Sequence, residues 1–183
     1  MAWDAAEKKF DFQELTTLLD EFWVQLNSYV LTHLNVLSDR RELAEFITTR
    51  WWDFSEVALY SDARTVLPAL KEKGLKMGVV TNGLQSDVAQ ILPKIGLQNF
   101  FNVVVVINTL ERMKPDVAVF RYALQRLKVP ASRTVFVGDE VEADYMGSQK
   151  AGVTAYLIDQ ERTSASGLRL ISSLIDLIEC NLV

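Results

Sequence analysis

The stretch TVFVGDEVEAD, residues 134–144, changes from apolar residues to a cluster of carboxylates at Asp139, Glu140, Glu142 and Asp144. Its first half is rich in β-branched and aromatic residues and predicts a buried strand. The acidic half begins where that strand ends. In a parallel α/β sheet, ligands bind at the carboxyl ends of the strands. The stretch therefore predicts a sheet of this kind, with a functional site at one edge.

Other apolar runs have the composition of buried strands and lie at residues 75–80, 103–107 and 153–158. Segments with helical spacing lie at residues 84–95, 116–127 and 142–151. Gly74, Gly96 and Gly152 fall where such helices end. This alternation predicts βαβ units and a Rossmann-like, three-layer parallel sheet with helices on both faces. The last segment, from Gly167, predicts a closing helix, with a short edge strand before it as an option.

The chain changes character near residue 60. Before that point, apolar residues recur at helical spacing from Leu15 to Leu34 and again from Leu43 to Trp51, and no strand pattern occurs. A Ser38-Asp39 start signal precedes the second set. The sequence therefore predicts a helical domain over residues 1–60 and an α/β core over residues 61–183.

Composition limits the classes of function. With 183 residues, 49% of them hydrophobic, and a net charge of -5, the chain reads as a globular protein without the basic surface that nucleic acids or acidic membranes require. The N-terminus lacks a signal-peptide pattern, and the most apolar run, residues 100–110, is shorter than the ~20 residues of a membrane-spanning helix. We expect a cytoplasmic protein. The single cysteine, Cys180, and the single histidine, His33, are interpreted as bystanders.

Polar residues follow three of the predicted strands. Thr81-Asn82-Gly83 follows the first, Lys114 lies a loop after the second, and Asp139 and Glu140 follow the third. Phosphoryl transfer needs a phosphate cradle, a positive charge and usually Mg²⁺ held by carboxylates. Each group alone is equally typical of a turn, a helix entry or a solvated helix start. Together, each after its own strand, they predict a phosphoryl-transfer site.

The expected roles follow from charge and position. The catalytic candidates are Thr81, Asn82 and Lys114, which together with Gly83 also form the phosphate-binding set. Asp139 is the expected Mg²⁺ ligand, with Glu140 as a further contributor. Asp144 would orient Lys114 or a metal-bound water, and Glu142 would be a solvated helix residue.

The stretches KMGVVTNG (76–83), RMKPDVAVFRYAL (112–124) and TVFVGDEVEADYMGSQKAG (134–152) resemble the second, third and fourth motifs of the haloacid dehalogenase-like (HAD) superfamily. The resemblance spans roughly residues 60–160. It implies a Rossmann-like core that carries Mg²⁺-dependent phosphatases, dehalogenases and related phosphotransferases. First-subfamily members also have a helical cap before the second motif, which matches the helical segment here. Gly138-Asp139 is similar to the phosphatase version, so a 2-haloacid dehalogenase is the weaker alternative.

The family's first motif is not found in this sequence. That motif is an apolar strand ending in Asp-x-Asp-x-Thr or Val, whose first Asp forms an aspartyl-phosphate and whose second Asp is the general acid/base. The nearest match, residues 10–16, has Asp11 but Gln13 in place of the second acid, and its leucine spacing predicts a helix.

Other aspartates fit no better. Asp4 has too few residues before it, and Asp53 lacks a second acid at the required spacing. Trp51 and Trp52, beside Asp53, are expected to pack within the cap, with substrate contact as the alternative.

In the family, the first strand lies centrally, between the strands that end at Thr81 and Asp139, so its absence would leave a gap in the sheet. Either the native protein carries this strand upstream, or it is a non-catalytic relative, or another chain supplies a strand. We expect the first: a phosphatase for a small phosphorylated metabolite whose nucleophile is absent from this chain, which is then inactive. A HAD-like binding or interaction protein is the alternative. An incomplete sheet also favours a homo-oligomer.

Overall fold

The computed structural model describes residues 19–37, 39–54, 56–159 and 167–179. The chain divides into two compact units, Met1–Val57 and Ala58–Val183. This division lies close to residue 60, where the character of the sequence changes. Each unit contains its own clusters of buried apolar side chains.

In its described residues, the first unit contains two packed helices, α1 (Leu19–His33) and α2 (Arg40–Phe54). Their apolar faces form a small core in which Val24 and Leu31 are buried with Ala44. The helices predicted from the spacing of apolar residues are therefore present in the described part of this unit.

The second unit alternates strands with helices. Its strands are β1 (Gly78–Val80), β2 (Val103–Val105), β3 (Val135–Gly138), β4 (Thr154–Ile158) and β5 (Leu170–Ile171). Its helices are α3 (Ser61–Glu72), α4 (Gln85–Lys94), α5 (Ile107–Leu110), α6 (Val117–Leu127), α7 (Gly147–Lys150) and α8 (Asp176–Glu179). The strand pairs among the described residues are parallel, which confirms the predicted α/β fold.

The range of helix α3 was not predicted, although Gly74 was placed where a helix ends. Its buried residues Ala63, Val66 and Leu70 have helical spacing, so the signal was present in the sequence. Pro68 lies inside this helix and weakens the pattern, because proline is unfavourable in a helix interior.

In the described residues, the strands form two sheets, with the orders β1-β2 and β3-β4-β5. Strand β1 pairs with β2 from Gly78↔Val103 to Val80↔Val105, and the strands β1 and β3 are not neighbours in either sheet. The expectation that a further strand belongs between β1 and β3 stays a prediction.

Helix α6 packs against both sheets. Its Val119 and Phe120 are buried in one cluster with Val105 of β2, and the partly buried Val80 of β1 packs against this cluster. Phe120 also meets Phe136 of β3 edge to face, with ring centroids 5.1 Å apart. One helix thus holds the two sheets against a common apolar layer.

The helix predicted over residues 142–151 begins differently. Residues Val141–Met146 form a π-helix, and α-helical geometry starts only at Gly147. The Glu140 carbonyl accepts hydrogen bonds from the N–H groups of both Asp144 and Tyr145, at 3.0 and 3.1 Å. This wider turn is not visible as a sequence period, and π-turns of this kind often occur at functional sites.

The C-terminal part contains a strand and a short helix rather than one long closing helix. Strand β5 pairs with β4, and α8 follows it. Between these elements, Asp62 Oδ2 of α3 accepts hydrogen bonds from Ser173 Oγ and from the Leu174 N–H, both at 2.9 Å. A carboxylate on α3 therefore anchors this segment.

None of the helices in the described ranges combines the length and the apolar character that crossing a lipid bilayer would require.

Candidate active site

The loop after β1 contains Thr81, Asn82 and Gly83. The Thr81 N–H donates to the Val105 carbonyl at 2.9 Å and so extends the pairing of β1 with β2. The Thr81 hydroxyl oxygen accepts from the Gly83 N–H at 3.0 Å, which tightens the loop just before α4. Because this oxygen acts as an acceptor within the loop, its own O–H remains the group that can donate to a ligand.

Lys114 forms a short ion pair with Asp144. The distance from Lys114 Nζ to Asp144 Oδ1 is 2.6 Å, and the two side chains are 11% and 4% exposed. Charge-assisted hydrogen bonds of this length are strong, and the low exposure limits competition from water. The ammonium group is therefore held by one defined partner.

The second oxygen of Asp144 is also bound. Asp144 Oδ2 accepts from the backbone N–H groups of Asp139 and Glu140, each at 3.2 Å. A Cβ atom at Gly138 would overlap the Asp144 carboxylate. Glycine before Asp139 is thus required for Asp144 to fold back over the end of β3 and reach Lys114.

Asn82 contacts the backbone of Lys114. Its Oδ1 accepts from the Lys114 N–H at 2.7 Å, and its Nδ2 donates to the Lys114 carbonyl at 3.2 Å. The Lys114-Pro115 peptide bond is cis. The loop after β1 and the loop that precedes α6 are thus connected by one side-chain amide.

The start of α6 is stabilised beside Lys114. Asp116 caps the helix by accepting from the Ala118 N–H at 2.8 Å, and it also binds Arg112 Nη1 at 2.5 Å. The Ala118 N–H, followed by the Arg112 guanidinium, holds the pKa of Asp116 below its usual range. These contacts explain why Lys-Pro-Asp also functions as a helix-entry signal.

Asp139 and Glu140 are exposed at the end of β3. Mg²⁺ commonly binds through one or two carboxylates together with substrate phosphate, and Asp139 fits one such position. Asp144 has both carboxylate oxygens bound by protein donors, so it suits the orienting role. No group of three or more His, Cys, Asp or Glu side chains in the described ranges could hold a metal ion. Among the described residues, Asp139 is thus a candidate ligand, and no complete protein cage for a metal ion is present.

Three further sequence candidates, Trp51, Asp53 and His33, belong to the first unit. Asp4, Asp11 and Cys180 lie outside the described residues. Asp53 forms an ion pair with Arg50 one helical turn away on α2. Trp51, on the same helix, is 57% exposed, and His33 is exposed and packs on Tyr29 at a ring distance of 4.2 Å.

Sequence reasoning missed two close approaches that shape the site. Gly138 leaves space for Asp144, and a Cβ at Gly147 would come within 2.9 Å of Phe120 and 3.1 Å of Pro115. The sequence signal in both cases was a glycine within or beside the acidic stretch. Such glycines often mark a close approach of backbone and side chain.

The family model described as haloacid dehalogenase-like hydrolase matches residues 10–158, which include all of the loops that form this cluster. The matched range covers well over half of the 183 residues.

Two similar curated proteins are phosphatases. The glyceraldehyde 3-phosphate phosphatase of Methanothermobacter thermautotrophicus is 29% identical over 161 residues, which cover 84% of this chain and 71% of that protein. The phosphoglycolate phosphatase of Pseudomonas fluorescens is 32% identical over 110 residues, 60% of this chain and 40% of that protein. The matched part thus spans less than half the length of the second relative.

A similar solved structure is a 2-haloacid dehalogenase from Pseudomonas syringae pv. Tomato DC3000. It is 26% identical, with a TM-score of 0.74, and the match covers 99% of this chain and 79% of that chain. Proteins similar to this chain therefore include both phosphatases and a dehalogenase.

Proposed function

Because the chain belongs to the haloacid dehalogenase-like hydrolase family, we propose that it is the core and cap of a Mg²⁺-dependent phosphatase for a small phosphorylated metabolite. The observation that carries this proposal is the Lys114–Asp144 ion pair, in a cluster with the Thr81 loop and the exposed Asp139. A cation, a hydroxyl donor and a carboxylate are the groups that a phosphate ester requires. The likeness to two phosphatases supports the same reading.

In this proposal, each residue of the cluster has one task. The Thr81 hydroxyl donates to a phosphoryl oxygen at the start of α4, where the helix dipole favours an anion. The Lys114 ammonium offsets the charge of the phosphoryl group, and Asp144 keeps it oriented. Asp139 would hold Mg²⁺, which supplies charge neutralisation of the phosphate when bound. Glu140 contributes beside it.

The chemical step needs an aspartate nucleophile, and we propose that this residue is not in the 183-residue chain. In the family's reaction, a carboxylate oxygen bonds to phosphorus, the bond to the leaving alcohol breaks, and water then hydrolyses the aspartyl-phosphate. Asp11 lacks the partner acid, since Gln13 stands in its place. The chain alone would then bind phosphate weakly and release none from an ester.

A dehalogenase is the second candidate, favoured by the likeness to the 2-haloacid dehalogenase. Displacement of halide from carbon needs no divalent ion, so this candidate leaves Asp139 without a task. A binding protein without turnover is the third candidate. Mg²⁺-dependent release of phosphate from an aryl phosphate by the 183-residue chain would refute this candidate.

Phosphate binding tests the proposal directly. We expect inorganic phosphate to bind in calorimetry with Mg²⁺ present, and we expect Lys114→Met and Thr81→Val to abolish binding. Asp139→Asn should remove the dependence on Mg²⁺, whereas Glu142→Gln, at an exposed position, should change nothing. Absence of phosphate binding by the unmodified chain would contradict the proposal, and chloride release from 2-chloropropionate would favour the dehalogenase.

We also propose a cytoplasmic location, with which the single cysteine agrees. The net charge of -5 supports the proposal that neither nucleic acid nor an acidic membrane is a partner. Self-association into a homo-oligomer is proposed because the described strands form two sheets, and strand edges that lack a neighbour favour pairing between chains.

A further inference from the structure

We propose that Asn82 is a positioning residue that fixes the main chain of Lys114, and through it the place of the Lys114 ammonium. The Asn82 side chain accepts from the Lys114 N–H at 2.7 Å and donates to the Lys114 carbonyl at 3.2 Å. One amide thus pairs with both polar backbone groups of a residue 32 positions away. This double contact constrains the backbone more than a single hydrogen bond would.

Lys114 is consequently held at both ends. Asn82 binds its backbone, and Asp144 binds its Nζ at 2.6 Å. A lysine side chain has several rotatable bonds and loses much conformational entropy when it is ordered. If the Lys114 backbone were free, the ion pair alone would allow many conformations of the Lys114 side chain. Because both the backbone and Nζ are bound, few conformations remain.

Asn82 also connects Lys114 to the loop that contains Thr81. Asn82 directly follows Thr81, whose N–H continues the β1–β2 pairing and whose hydroxyl closes the loop on Gly83. The loop that carries the hydroxyl donor therefore also fixes the main chain of the residue that carries the cation.

The importance of Asn82 for catalysis rests on the proposed function. The anchoring of Lys114 by Asn82, in contrast, can be measured without any turnover. Acetic anhydride acetylates lysine amines, and mass spectrometry gives a rate for each lysine. Lys114 should react slowly in the unmodified chain, because its Nζ is bound and its side chain is 11% exposed. Lys76, whose Nζ donates to the Leu127 carbonyl at 2.9 Å, is an internal reference within the same unit.

The variant Asn82→Ala removes both contacts, and Asn82→Asp keeps the acceptor for the Lys114 N–H but loses the donor. We expect acetylation of Lys114 to rise about three- to tenfold in Asn82→Ala, the range that corresponds to the loss of one or two ordinary hydrogen bonds. Asn82→Asp should give a smaller rise and keeps the test decisive if the alanine variant does not fold. Lys76 should react at its original rate in both variants.

Asn102→Ala is the matched control. Asn102 Oδ1 accepts from the Met77 N–H at 2.9 Å, so the variant also removes an asparagine-to-backbone hydrogen bond, but at the start of β2. It should leave Lys114 acetylation unchanged. An equal rise at Lys114 and Lys76 in Asn82→Ala would mean general loosening and would overturn the proposal, as would an unchanged rate at Lys114.

Phosphate calorimetry separates this role from the proposed function. Weaker phosphate binding together with faster Lys114 acetylation supports positioning at a phosphate site. Loss of phosphate binding with unchanged acetylation would make Asn82 a direct ligand and would overturn the positioning role, while the proposed function stands. If the unmodified chain binds no phosphate but Lys114 is acetylated faster in Asn82→Ala, the anchoring of Lys114 by Asn82 is supported and the proposed function is wrong.

Discussion

The Asp144 carboxylate occupies the space that a side chain at position 138 would need, and Gly138 is therefore a condition for the Lys114–Asp144 ion pair. The glycine and the aspartate are close in the sequence, yet the contact depends on the π-turn that brings Asp144 back over the end of β3. The site is organised around this reversal of the chain.

Gly138→Ala should disrupt the ion pair. The new methyl group would displace the Asp144 carboxylate, and overpacking of this kind costs about 1–3 kcal/mol of unfolding free energy. Phosphate binding should be lost as well, because Lys114 loses its partner. Urea denaturation and phosphate calorimetry measure the two effects. Gly96→Ala is the control: its φ of +74° makes alanine unfavourable, but nothing lies near the new Cβ, so stability should fall while phosphate binding persists.

Removing one member of the Lys114–Asp144 pair should be strongly destabilising. Lys114→Met and Asp144→Asn should each cost about 3 kcal/mol, because the remaining group is buried without its partner. The double variant should cost less than the sum of the two single changes, and denaturant unfolding of all four proteins gives this coupling. Glu21→Gln, at the exposed Arg41–Glu21 pair, should leave the unfolding midpoint unchanged. Additive effects at 114 and 144 would contradict a direct pair.

Stability should depend on the ionisation of Asp62. Partial burial opposes the charged form, but hydrogen bonds from the Leu174 N–H, the Ser173 hydroxyl and the Ala63 N–H outweigh it and hold the pKa of Asp62 below its usual range. A lowered folded-state pKa means that the stabilisation is complete above the unfolded pKa near 4 and is lost as pH falls through the folded value.

Asp62→Asn should therefore reduce the unfolding free energy at pH 7 by about 1–2 kcal/mol. The difference from the unmodified chain should shrink as the pH is lowered below about 4. Hydrogen exchange at the Leu174 amide should accelerate in the variant, because that N–H loses its charged acceptor. Glu142→Gln serves as the control, and a difference that stays constant down to pH 2 would refute the ionic contribution.

Glu111→Gly should stabilise the chain. Glu111 ends α5 with φ 52° and ψ 37°, a left-handed conformation that costs non-glycine residues about 1–2 kcal/mol. Glycine avoids this cost, but its greater conformational freedom in the unfolded chain offsets part of the gain. The net increase in the free energy of unfolding should be about 0.5–1 kcal/mol. Arg121→Gly, inside α6 at an exposed position, should instead destabilise by about 1 kcal/mol. Thermal unfolding of the two variants shows whether each substitution raises or lowers the stability.

The strands and the loops after them could be predicted because their signals are local. The apolar run that ends at Gly138 and the acids after it are adjacent in the chain, and the observed strand, Val135–Gly138, differs from the predicted run only at its first residue. The first strand is shorter than predicted, since pairing with β2 is recorded only from Gly78 to Val80. Strand ends depend on the neighbour's register, which a single sequence does not reveal.

Asp144 was expected to orient Lys114, but the Asn82 contact and the π-turn could not be predicted. The Asn82 amide meets the Lys114 backbone across 32 positions, and the residue type at 82 fits a turn equally well. The π-turn at Val141–Met146 has no sequence period of its own and emerges only from the way in which Asp144 satisfies the backbone N–H groups after β3. Tertiary hydrogen bonds thus determine the parts that the sequence pattern left open.

A lysine bound at both ends also makes its neighbours interdependent in evolution. Once Asp144 has been replaced, a larger residue at position 138 destabilises the fold little. Once Lys114 has been replaced, asparagine is no longer required at position 82. Substitutions at these four positions should therefore show strong epistasis, each being harmful alone and tolerated only after another. In a set of homologous chains, positions 82, 114, 138 and 144 should covary as one block, and they should drift together in any lineage that abandons catalysis.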